Sequence, residues 1–418
     1  MFLPAILAAA FAAVVTGATT AESPGTGVTA QPVTTAGSST LKQIDPAALQ
    51  AMVDNSAREL MVPGALVLLR TPQGEITATY GTTRLGTAST PTADTHFRIA
   101  SNTKTMTAAV IMLLAQDGRL SLDDPVSKYV PGVPNGDTIT IAALLQMRSG
   151  LYNYTDAPEV SASMDRDLTK IWSATEVLAI AFKRPANFPP GTAYEYNNTN
   201  YALLGLVAEK ADGKPLAQAM QDRLFGPLGM RHTLLPASDV DTIPDPYAHG
   251  YGYGSTSVVL SDASTYSPEV AAQARAGTLL PNDYTGLNHS FAAAAGGGIS
   301  TAHDLAIWIR ALVSGGVLDA ASQRRWVDGV QPQNPNEPDR QRYGYGISQL
   351  RWGPNTVYFH GGETPGYNSK IAYDPANQMT LVVWTNLAVS LDEQQPANTL
   401  MVKVLDHIYQ QSPLHTGH

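Results

Sequence analysis

Apolar residues recur at helical spacing in several long stretches of the chain. After Lys104 the sequence is rich in Ala, Met and Leu, and Val110, Leu113 and Leu114 have helical spacing, which predicts a helix with Ser101 at its N-terminus. Comparable patterns and end signals predict further helices. These helices cover residues 46–60, 199–213, 301–312 and 396–410.

Two groups of strand-like segments lie near opposite ends of the chain. Residues 65–70 and 75–81 flank the turn sequence Thr71-Pro72-Gln73-Gly74, a pattern that predicts a β-hairpin. Between the two groups, from about residue 115 to 290, short helical patterns alternate with Pro- and Gly-rich loops. The second group predicts three more strands, at residues 356–361, 367–374 and 379–386.

This order of elements predicts an α/β fold. One mixed, antiparallel sheet would be formed by both chain ends, with flanking helices and a largely helical second region packed beside it. Residues 44–412 are predicted to form this domain, since the core-forming patterns lie within them.

The two ends of the chain show no core pattern. Residues 1–21 contain an apolar run followed by small residues, which is typical of a secretory signal peptide, although no Lys or Arg precedes the run. Residues 22–43 are rich in Thr, Ser, Gly and Pro and predict a flexible linker, and residues 413–418 predict a tail. We therefore expect export to the cell envelope or the medium of a bacterium.

Composition and charge narrow the possible functions. The 418 residues are 44% apolar and 15% charged, a globular composition, and the formal net charge of −9 argues against nucleic-acid binding. Beyond the signal no apolar run is long enough to span a bilayer, so no stable membrane span is expected after processing. The absence of Cys excludes disulfides and zinc–thiolate sites, and the His residues lack metal-binding spacing, so no metal and no cofactor are expected.

Ser101 and Lys104 place a hydroxyl and an amine three residues apart. Positions i and i+3 share a helix face, so the amine can reach the hydroxyl. Desolvation lowers the pKa of a lysine, which can then act as the base that activates a serine nucleophile. The same pattern occurs at Ser39 and Lys42, but there it lies in the predicted linker with no helix behind it.

Two later segments provide candidate partners. Tyr196 and Asn198 lie just before the predicted helix 199–213. A phenol whose pKa is lowered by an ammonium can exchange a proton with serine, and an asparagine amide can hydrogen-bond a substrate amide. His360 can supply a hydrogen bond or a proton at neutral pH, and the Gly-rich bend that contains Gly362 lets a substrate backbone approach.

The chain thus carries, in one order, three motifs that resemble those of the serine β-lactamase and penicillin-binding DD-peptidase superfamily: Ser101-x-x-Lys104, Tyr196-x-Asn198 and His360-x-Gly362. The resemblance covers about residues 45–410. It is greatest to the branch that contains class C β-lactamases, Streptomyces-type D-Ala-D-Ala carboxypeptidases and esterases.

The resemblance implies acyl transfer to a serine, followed by hydrolysis. Ser101 would be the nucleophile, and Lys104 and Tyr196 would share the acid–base work, with the identity of the acylation base left open because the two groups titrate as a pair. The substrate would be a small molecule or peptide, namely an ester, a D-amino-acid peptide or a β-lactam.

The resemblance also implies a substrate-binding set. Asn198 would hold the substrate amide, and His360, which replaces the lysine of lactamase motifs, would lie beside it with Gly362 and Glu363. The backbone N–H groups of Ser101 and Glu363 would form the oxyanion hole.

The third motif departs from the family pattern in its charge. Gly361 and Glu363 stand where related peptidases have hydroxyl residues that help bind a substrate carboxylate. In a half-wet site a carboxylate at Glu363 would repel an anionic substrate by on the order of 1 kcal/mol. This favours a neutral ester or amide over a β-lactam or D-Ala-D-Ala, unless an arginine that the sequence does not identify compensates.

Two other functions remain as alternatives. An α/β-hydrolase would need Gly-x-Ser-x-Gly, but the nearest string, 298–302, lacks the final Gly, and Ser300 is better explained as a helix cap. A catalytically weak envelope protein that binds penicillin or peptidoglycan would keep the fold, although such proteins usually lose the nucleophile or its lysine, and Ser101 and Lys104 are both present.

Overall fold

Strands from both ends of the chain form one sheet, as the sequence predicts. The computed structural model describes residues 40–261 and 264–410. The strands in these residues are β1 (Gly64–Thr71), β2 (Gly74–Gly81), β3 (Phe97–Arg98), β4 (Tyr251–Gly252), β5 (Asn282–Asp283), β6 (Ile299–Ser300), β7 (Gln331–Pro332), β8 (Gln341–Tyr343), β9 (Ser348–Trp352), β10 (Asn355–Thr364), β11 (Tyr367–Asp374) and β12 (Met379–Thr385). Eight of these described strands form an antiparallel sheet in the order β2-β1-β12-β11-β10-β9-β8-β7, and β3 pairs with β6 and β4 with β5.

Helices fill most of the middle of the chain and cover the sheet. In chain order they are α1 (Pro46–Glu59), α2 (Thr103–Gln116), α3 (Ile141–Leu145), α4 (Pro158–Arg166), α5 (Ala174–Phe182), α6 (Asn198–Asp212), α7 (Leu216–Met220), α8 (Gly226–Leu228), α9 (Ser257–Leu260), α10 (Pro268–Arg275), α11 (Ala293–Gly296), α12 (Ala302–Val313), α13 (Ala320–Asp328) and α14 (Pro396–Ile408). The predicted helices and strands are confirmed, and the α/β fold with a sheet built from both chain ends is confirmed with them.

Local signals account for several helix ends. The side chain of Asp45 accepts a hydrogen bond from the first turn of α1, and Thr301 caps α12 in the same way. Asn197 caps α6, and Gly213 ends that helix in a left-handed conformation with φ of 73°. These caps satisfy N–H and C=O groups that a helix leaves without partners at its ends.

The sheet is buried on both faces, which explains why its central strands are continuously apolar. In β1, Leu66 and Leu68 face the core shared with the helical region, whereas Val67 and Leu69 face a second core formed with α1 and α14. Trp384 of β12 lies on the first of these faces and stacks on Phe97, with ring centroids 5.1 Å apart. The sheet therefore forms a middle layer between α1 and α14 on one side and the helical region on the other.

The free edge of β10 opens toward the candidate active site. The pairing of β10 with β9 ends at Phe359, so residues 360–364 continue only along β11. Gly362 lies against the turn that carries Ser101, because a Cβ at this position would lie 2.1 Å from the carbonyl oxygen of Ile99. A glycine is therefore required where strand and turn meet.

The chain ends outside this domain are only partly described. Thr40 and Leu41, which precede the predicted domain start, already contact the domain: the Thr40 N–H donates to Asn377 Oδ1 at 3.0 Å, and Leu41 forms an isolated β-bridge with Tyr409. The predicted signal peptide 1–21, residues 22–39 of the predicted linker and the predicted tail 413–418 lie outside the described residues. Across residues 40–261 and 264–410, none of the helices has the length and apolar character needed to cross a membrane.

Candidate active site

Ser101 lies in a short 3₁₀ turn, Ala100–Asn102, that leads directly into α2. The sequence predicts it at the N-terminus of the α-helix, but that helix begins only at Thr103. Ala100, just before Ser101, has a φ of 47°, a left-handed conformation that is strained for a non-glycine residue, so an α-helix cannot extend back beyond Ser101.

Buried hydrogen bonds hold this strained turn. The hydroxyl of Thr103 donates to the Ala100 carbonyl at 2.7 Å and accepts from the Gly298 N–H at 3.0 Å. The amide of Asn102 donates to Ser369 of β11 at 2.8 Å. Because these partners come from distant parts of the chain, the turn is fixed against both the sheet and the helical region.

Lys104 is fully buried and contacts Ser101 directly. Its Nζ lies 2.8 Å from Ser101 Oγ, 2.7 Å from Asn198 Oδ1 and 2.7 Å from the carbonyl oxygen of Ala295. Burial lowers the pKa of Lys104 well below its usual value. The two oxygens of Asn198 and Ala295 can only accept hydrogen bonds, so in the neutral form of the amine they would take both N–H groups, and its lone pair would face Ser101.

Asn198 of the second motif is hydrogen-bonded to Lys104 of the first and to two further side chains. Its N–H donates to Asn153 Oδ1 at 3.0 Å, its Oδ1 accepts from Lys104, and its Nδ2 donates to Thr155 Oγ1 at 3.0 Å. An Nδ2 group has two hydrogens, so the second can be given to a substrate that enters the cleft.

Tyr196 forms a wall of the cleft, and its hydroxyl is hydrogen-bonded to the side chain of Ser101. The ring is 37% exposed, yet the hydroxyl end is surrounded by protein, and burial raises the pKa of Tyr196 well above its usual range despite the bond to Ser101. The ammonium form of Lys104 would lie 4.9 Å from the ring centroid, a cation–π distance. The lowered phenol pKa considered from the sequence is therefore not found, and the resting phenol is neutral.

The surroundings of His360 decide which role its ring can have. Its Nδ1 lies 2.7 Å from the carbonyl oxygen of Gly361, which can only accept, so Nδ1 carries the proton and Nε2 accepts from the Tyr343 hydroxyl at 3.1 Å. Burial, together with the nearby charge of Lys104, lowers the pKa of His360 to about 3. From the sequence His360 could supply a hydrogen bond or a proton at neutral pH. The structure does not favour the proton, because both ring nitrogens are engaged inside the protein and the lowered pKa keeps the ring uncharged.

The cleft around these residues has a volume of about 560 Å³. Ser101, Tyr196 and Asn198 line it from one side, and residues 359–364 of β10 from the other. The predicted residues of all three motifs are thus brought together, and Glu363 lines the same cleft as Ser101. The oxyanion hole formed by the N–H groups of Ser101 and Glu363 stays a prediction.

Sequence reasoning missed several groups that shape the cleft. Asn153 and Thr155 position Asn198, and no local pattern identifies them. Lys370 also lines the cleft and is the one Lys or Arg side chain among the described residues that do so. It pairs across the sheet with Gly361, so counting the register outward from the β10–β11 turn would have found it. The cleft therefore holds a cation that the sequence analysis did not identify.

Among the described residues that line the cleft, acidic side chains outnumber the one cation, Lys370. Asp156, Glu195 and Glu363 line the cleft together with Lys370. Burial lowers the pKa of Lys370 to about 8, although the neighbouring charge of Glu363 opposes the shift. In the described part of the chain, no group of three or more His, Cys, Asp or Glu residues is arranged to hold a metal ion.

Comparisons with known proteins identify the family and the fold of the chain. A sequence model of the family described as Beta-lactamase matches residues 49–406. A D-stereospecific amidohydrolase from Streptomyces sp. has a similar structure, with a TM-score of 0.72, 29% identity, and coverage of 86% of this chain and 99% of that one. The D-amino acid amidase of Ochrobactrum anthropi SV3, in complex with D-phenylalanine, gives a TM-score of 0.72, 26% identity, and coverage of 86% and 98%.

A curated relative is similar over a shorter stretch. Protein flp of Staphylococcus aureus (strain MW2) is 32% identical over 218 residues, which are 50% of this chain. The match covers 42% of the length of that relative, so less than half of it is represented.

Proposed function

Because the chain belongs to the β-lactamase family, we propose that it is a serine hydrolase of the amidase type that forms an acyl-enzyme on Ser101. The observation that carries this proposal is the contact between Lys104 Nζ and Ser101 Oγ at 2.8 Å. A buried amine whose two N–H groups are taken by acceptors has its lone pair available to the serine proton, which is what nucleophilic catalysis by serine needs.

Acylation would begin with Lys104 as the base. Its lone pair accepts the Ser101 proton as Oγ attacks the substrate carbonyl, and the N–H groups of Ser101 and Glu363 stabilise the oxyanion. The neutral phenol of Tyr196 donates its proton to the leaving amine or alcohol and regains one from the Lys104 ammonium. Overall one proton is lost from Ser101 and one is gained by the leaving group, and both Lys104 and Tyr196 return to their neutral states.

The transient ammonium of Lys104 would be stabilised where it forms. The oxygens of Asn198 and Ala295 lie within hydrogen-bond distance, and the ring centroids of Tyr196 and Tyr201 lie 4.9 Å and 5.7 Å from Nζ. These groups are already in place before reaction, so little reorganisation is needed. In deacylation, water takes the position of the leaving group, and the same groups carry its proton back to Ser101.

The preferred substrate would be an amide or ester of an amino acid with a free α-ammonium group. The three carboxylates of Asp156, Glu195 and Glu363 favour a cation in the cleft over an anion. The similar structures named as a D-amino acid amidase and a D-stereospecific amidohydrolase support the D configuration. Penicillins and D-Ala-D-Ala carry a carboxylate, so carboxypeptidase and β-lactamase activity would be weaker than amidase or esterase activity.

Export is a further part of the proposal. The apolar N-terminal run of residues 1–21 and the absence of Cys support a secreted or cell-envelope enzyme. Expression of the full chain in a bacterial host, with N-terminal sequencing of any extracellular product, tests it. A product that stays in the cytoplasm with its N-terminus intact would count against export.

A substrate panel tests the catalytic proposal. We expect D-phenylalanine amide to be hydrolysed faster than L-phenylalanine amide, N-acetyl-D-phenylalanine amide or benzylpenicillin, and Ser101→Ala to abolish each activity. If the purified protein forms a stable penicillin adduct on Ser101 but turns over no amide or ester, the alternative of a penicillin-binding envelope protein is favoured instead.

A further inference from the structure

The side chain of Lys370 occupies space that Gly361 leaves open. The two residues are directly opposite in the antiparallel pairing of β10 and β11. A Cβ built on Gly361 would lie 2.5 Å from Lys370 Nζ and 3.0 Å from its Cε, which is closer than real side chains approach. The absence of a side chain at position 361 therefore allows the Lys370 ammonium to lie across the edge strand at the cleft.

Glu363 lies on the same face of the sheet as Lys370. It lies two residues beyond Gly361 on the same face of β10, and its carboxylate opposes the effect of burial on the Lys370 pKa. The charge of Lys370 also helps to lower the pKa of His360, which is uncharged, and the charge of Glu363 helps to raise the pKa of Tyr266. Lys370 and Glu363 thus bring opposite charges to one face of the sheet at the cleft.

We propose that Lys370 is a specificity-determining residue whose ammonium, seated over Gly361, offsets the Glu363 carboxylate and admits carboxylate-bearing substrates that Glu363 alone would repel. This inference rests on the proposed serine hydrolase function and adds a substrate class to it. Lys370 on the neighbouring strand β11 thus supplies the positive charge that the uncharged His360 does not.

The charge preference of the cleft then changes with pH. Below its pKa of about 8, Lys370 is charged and offsets Glu363. Above that pH Lys370 is neutral and the Glu363 carboxylate acts alone. The rate for an anionic substrate should therefore fall relative to that for a cationic one as pH rises through about 8.

Three p-nitrophenyl esters of similar size test this: the neutral butyrate, the anionic hemisuccinate and the permanently cationic 4-(trimethylammonio)butyrate. The measured quantity is the ratio of kcat/KM for the anionic ester to that for the cationic ester, between pH 6.5 and 9, after subtraction of the uncatalysed rates. In the unaltered protein we expect this ratio to fall about tenfold across that range, the effect of one charge in a half-wet site. The butyrate reports activity that does not depend on substrate charge.

Variants distinguish the effect of the Lys370 charge from the effect of its position over Gly361. Lys370→Met removes the ammonium, and Gly361→Ala keeps it but displaces it, so both should lower the ratio at pH 6.5 by about tenfold and remove its pH dependence. Glu363→Gln should raise the ratio. Lys210→Met, which removes the same charge from an exposed position on α6, should leave the ratio unchanged.

The outcomes distinguish this inference from the proposed function. If the esters are hydrolysed in a Ser101-dependent way but the ratio is the same in Lys370→Met and in the unaltered protein, the role of Lys370 is wrong and the serine hydrolase proposal stands. A pH-independent ratio in the unaltered protein overturns the inference without relying on the folding of any variant. If Ser101→Ala retains full activity, the proposed function itself fails.

Discussion

Lys104 Nζ lies 2.8 Å from Ser101 Oγ, and the two other oxygens within hydrogen-bond distance, of Asn198 and Ala295, can only accept hydrogen bonds. This arrangement bears on a question that the sequence leaves open, namely which group is the acylation base. Burial lowers the pKa of Lys104, which favours the neutral amine, and raises the pKa of Tyr196, which keeps the phenol protonated. We therefore assign the base to Lys104 and the acid to Tyr196.

Removal of the Ser101 hydroxyl or of the Lys104 amine should abolish turnover. We expect Ser101→Ala and Lys104→Met to lower kcat/KM for amides and esters by at least about a thousandfold, because nucleophile and base act as one unit. The second Ser-x-x-Lys pattern provides a matched control, since Ser39→Ala and Lys42→Met make the same chemical changes outside the three motifs. Steady-state kinetics with D-phenylalanine amide measures all four variants, and a loss of similar size in the controls would contradict the assignment.

The pH profile of a neutral ester should report Lys104. Only the neutral amine can accept the serine proton, so kcat/KM should rise as pH rises through the pKa of Lys104 and then level off. Because burial lowers that pKa, the rise should occur well below the usual lysine value of 10.5.

His360 should not contribute to this profile. Its pKa is lowered to about 3, so the ring stays uncharged over the range in which the ester is assayed. His360→Gln should therefore leave the midpoint of the rise unchanged. A midpoint near 6.5 that disappears in His360→Gln would instead identify the histidine as the titrating group.

Close contact at Gly362 should make the third motif sensitive to a single methyl group. In Gly362→Ala the new Cβ would lie 2.1 Å from the Ile99 carbonyl oxygen, so β10 must move away from the Ser101 turn. We expect a loss of about 1–3 kcal/mol in the free energy of unfolding and a large loss of activity. Gly286→Ala is the control, because a Cβ there meets no atom within 4 Å. Urea unfolding and ester kinetics measure both variants, and equal stabilities would show that the strand and turn can separate without cost.

Substrate charge should favour esters over β-lactams. At pH 9 Lys370 no longer offsets Glu363, and a cephalosporin carries a carboxylate, so a hydrophobic p-nitrophenyl ester should be turned over faster than a cephalosporin at that pH. Glu363→Gln should narrow the difference by raising cephalosporin turnover. Spectrophotometric assays of both substrates measure this, and equal or reversed rates in the unaltered protein would refute the argument from Glu363.

The sequence by itself determined the elements and the candidate chemistry. The predicted hairpin agrees with β1 and β2 to within one residue at each end, and the predicted strand 367–374 coincides with β11. Helix and strand periodicity, caps and turns depend on neighbouring residues, so they can be read locally. The motif residues could be named for the same reason, since each motif spans at most four positions.

Only the tertiary structure decided the charge states and the partners of these residues. The hydrogen-bond partners of Lys104 lie 94 and 191 positions away in the chain. His360 is uncharged because it is buried. Lys370 reaches the cleft because the register of the sheet places it opposite Gly361. The left-handed Ala100 beside Ser101 is held by the Thr103 hydroxyl, which in turn accepts a hydrogen bond from the distant Gly298. Desolvation and cross-strand register arise when remote parts of the chain pack together, so a local pattern names the reactive groups but does not decide their protonation or the charge that surrounds them.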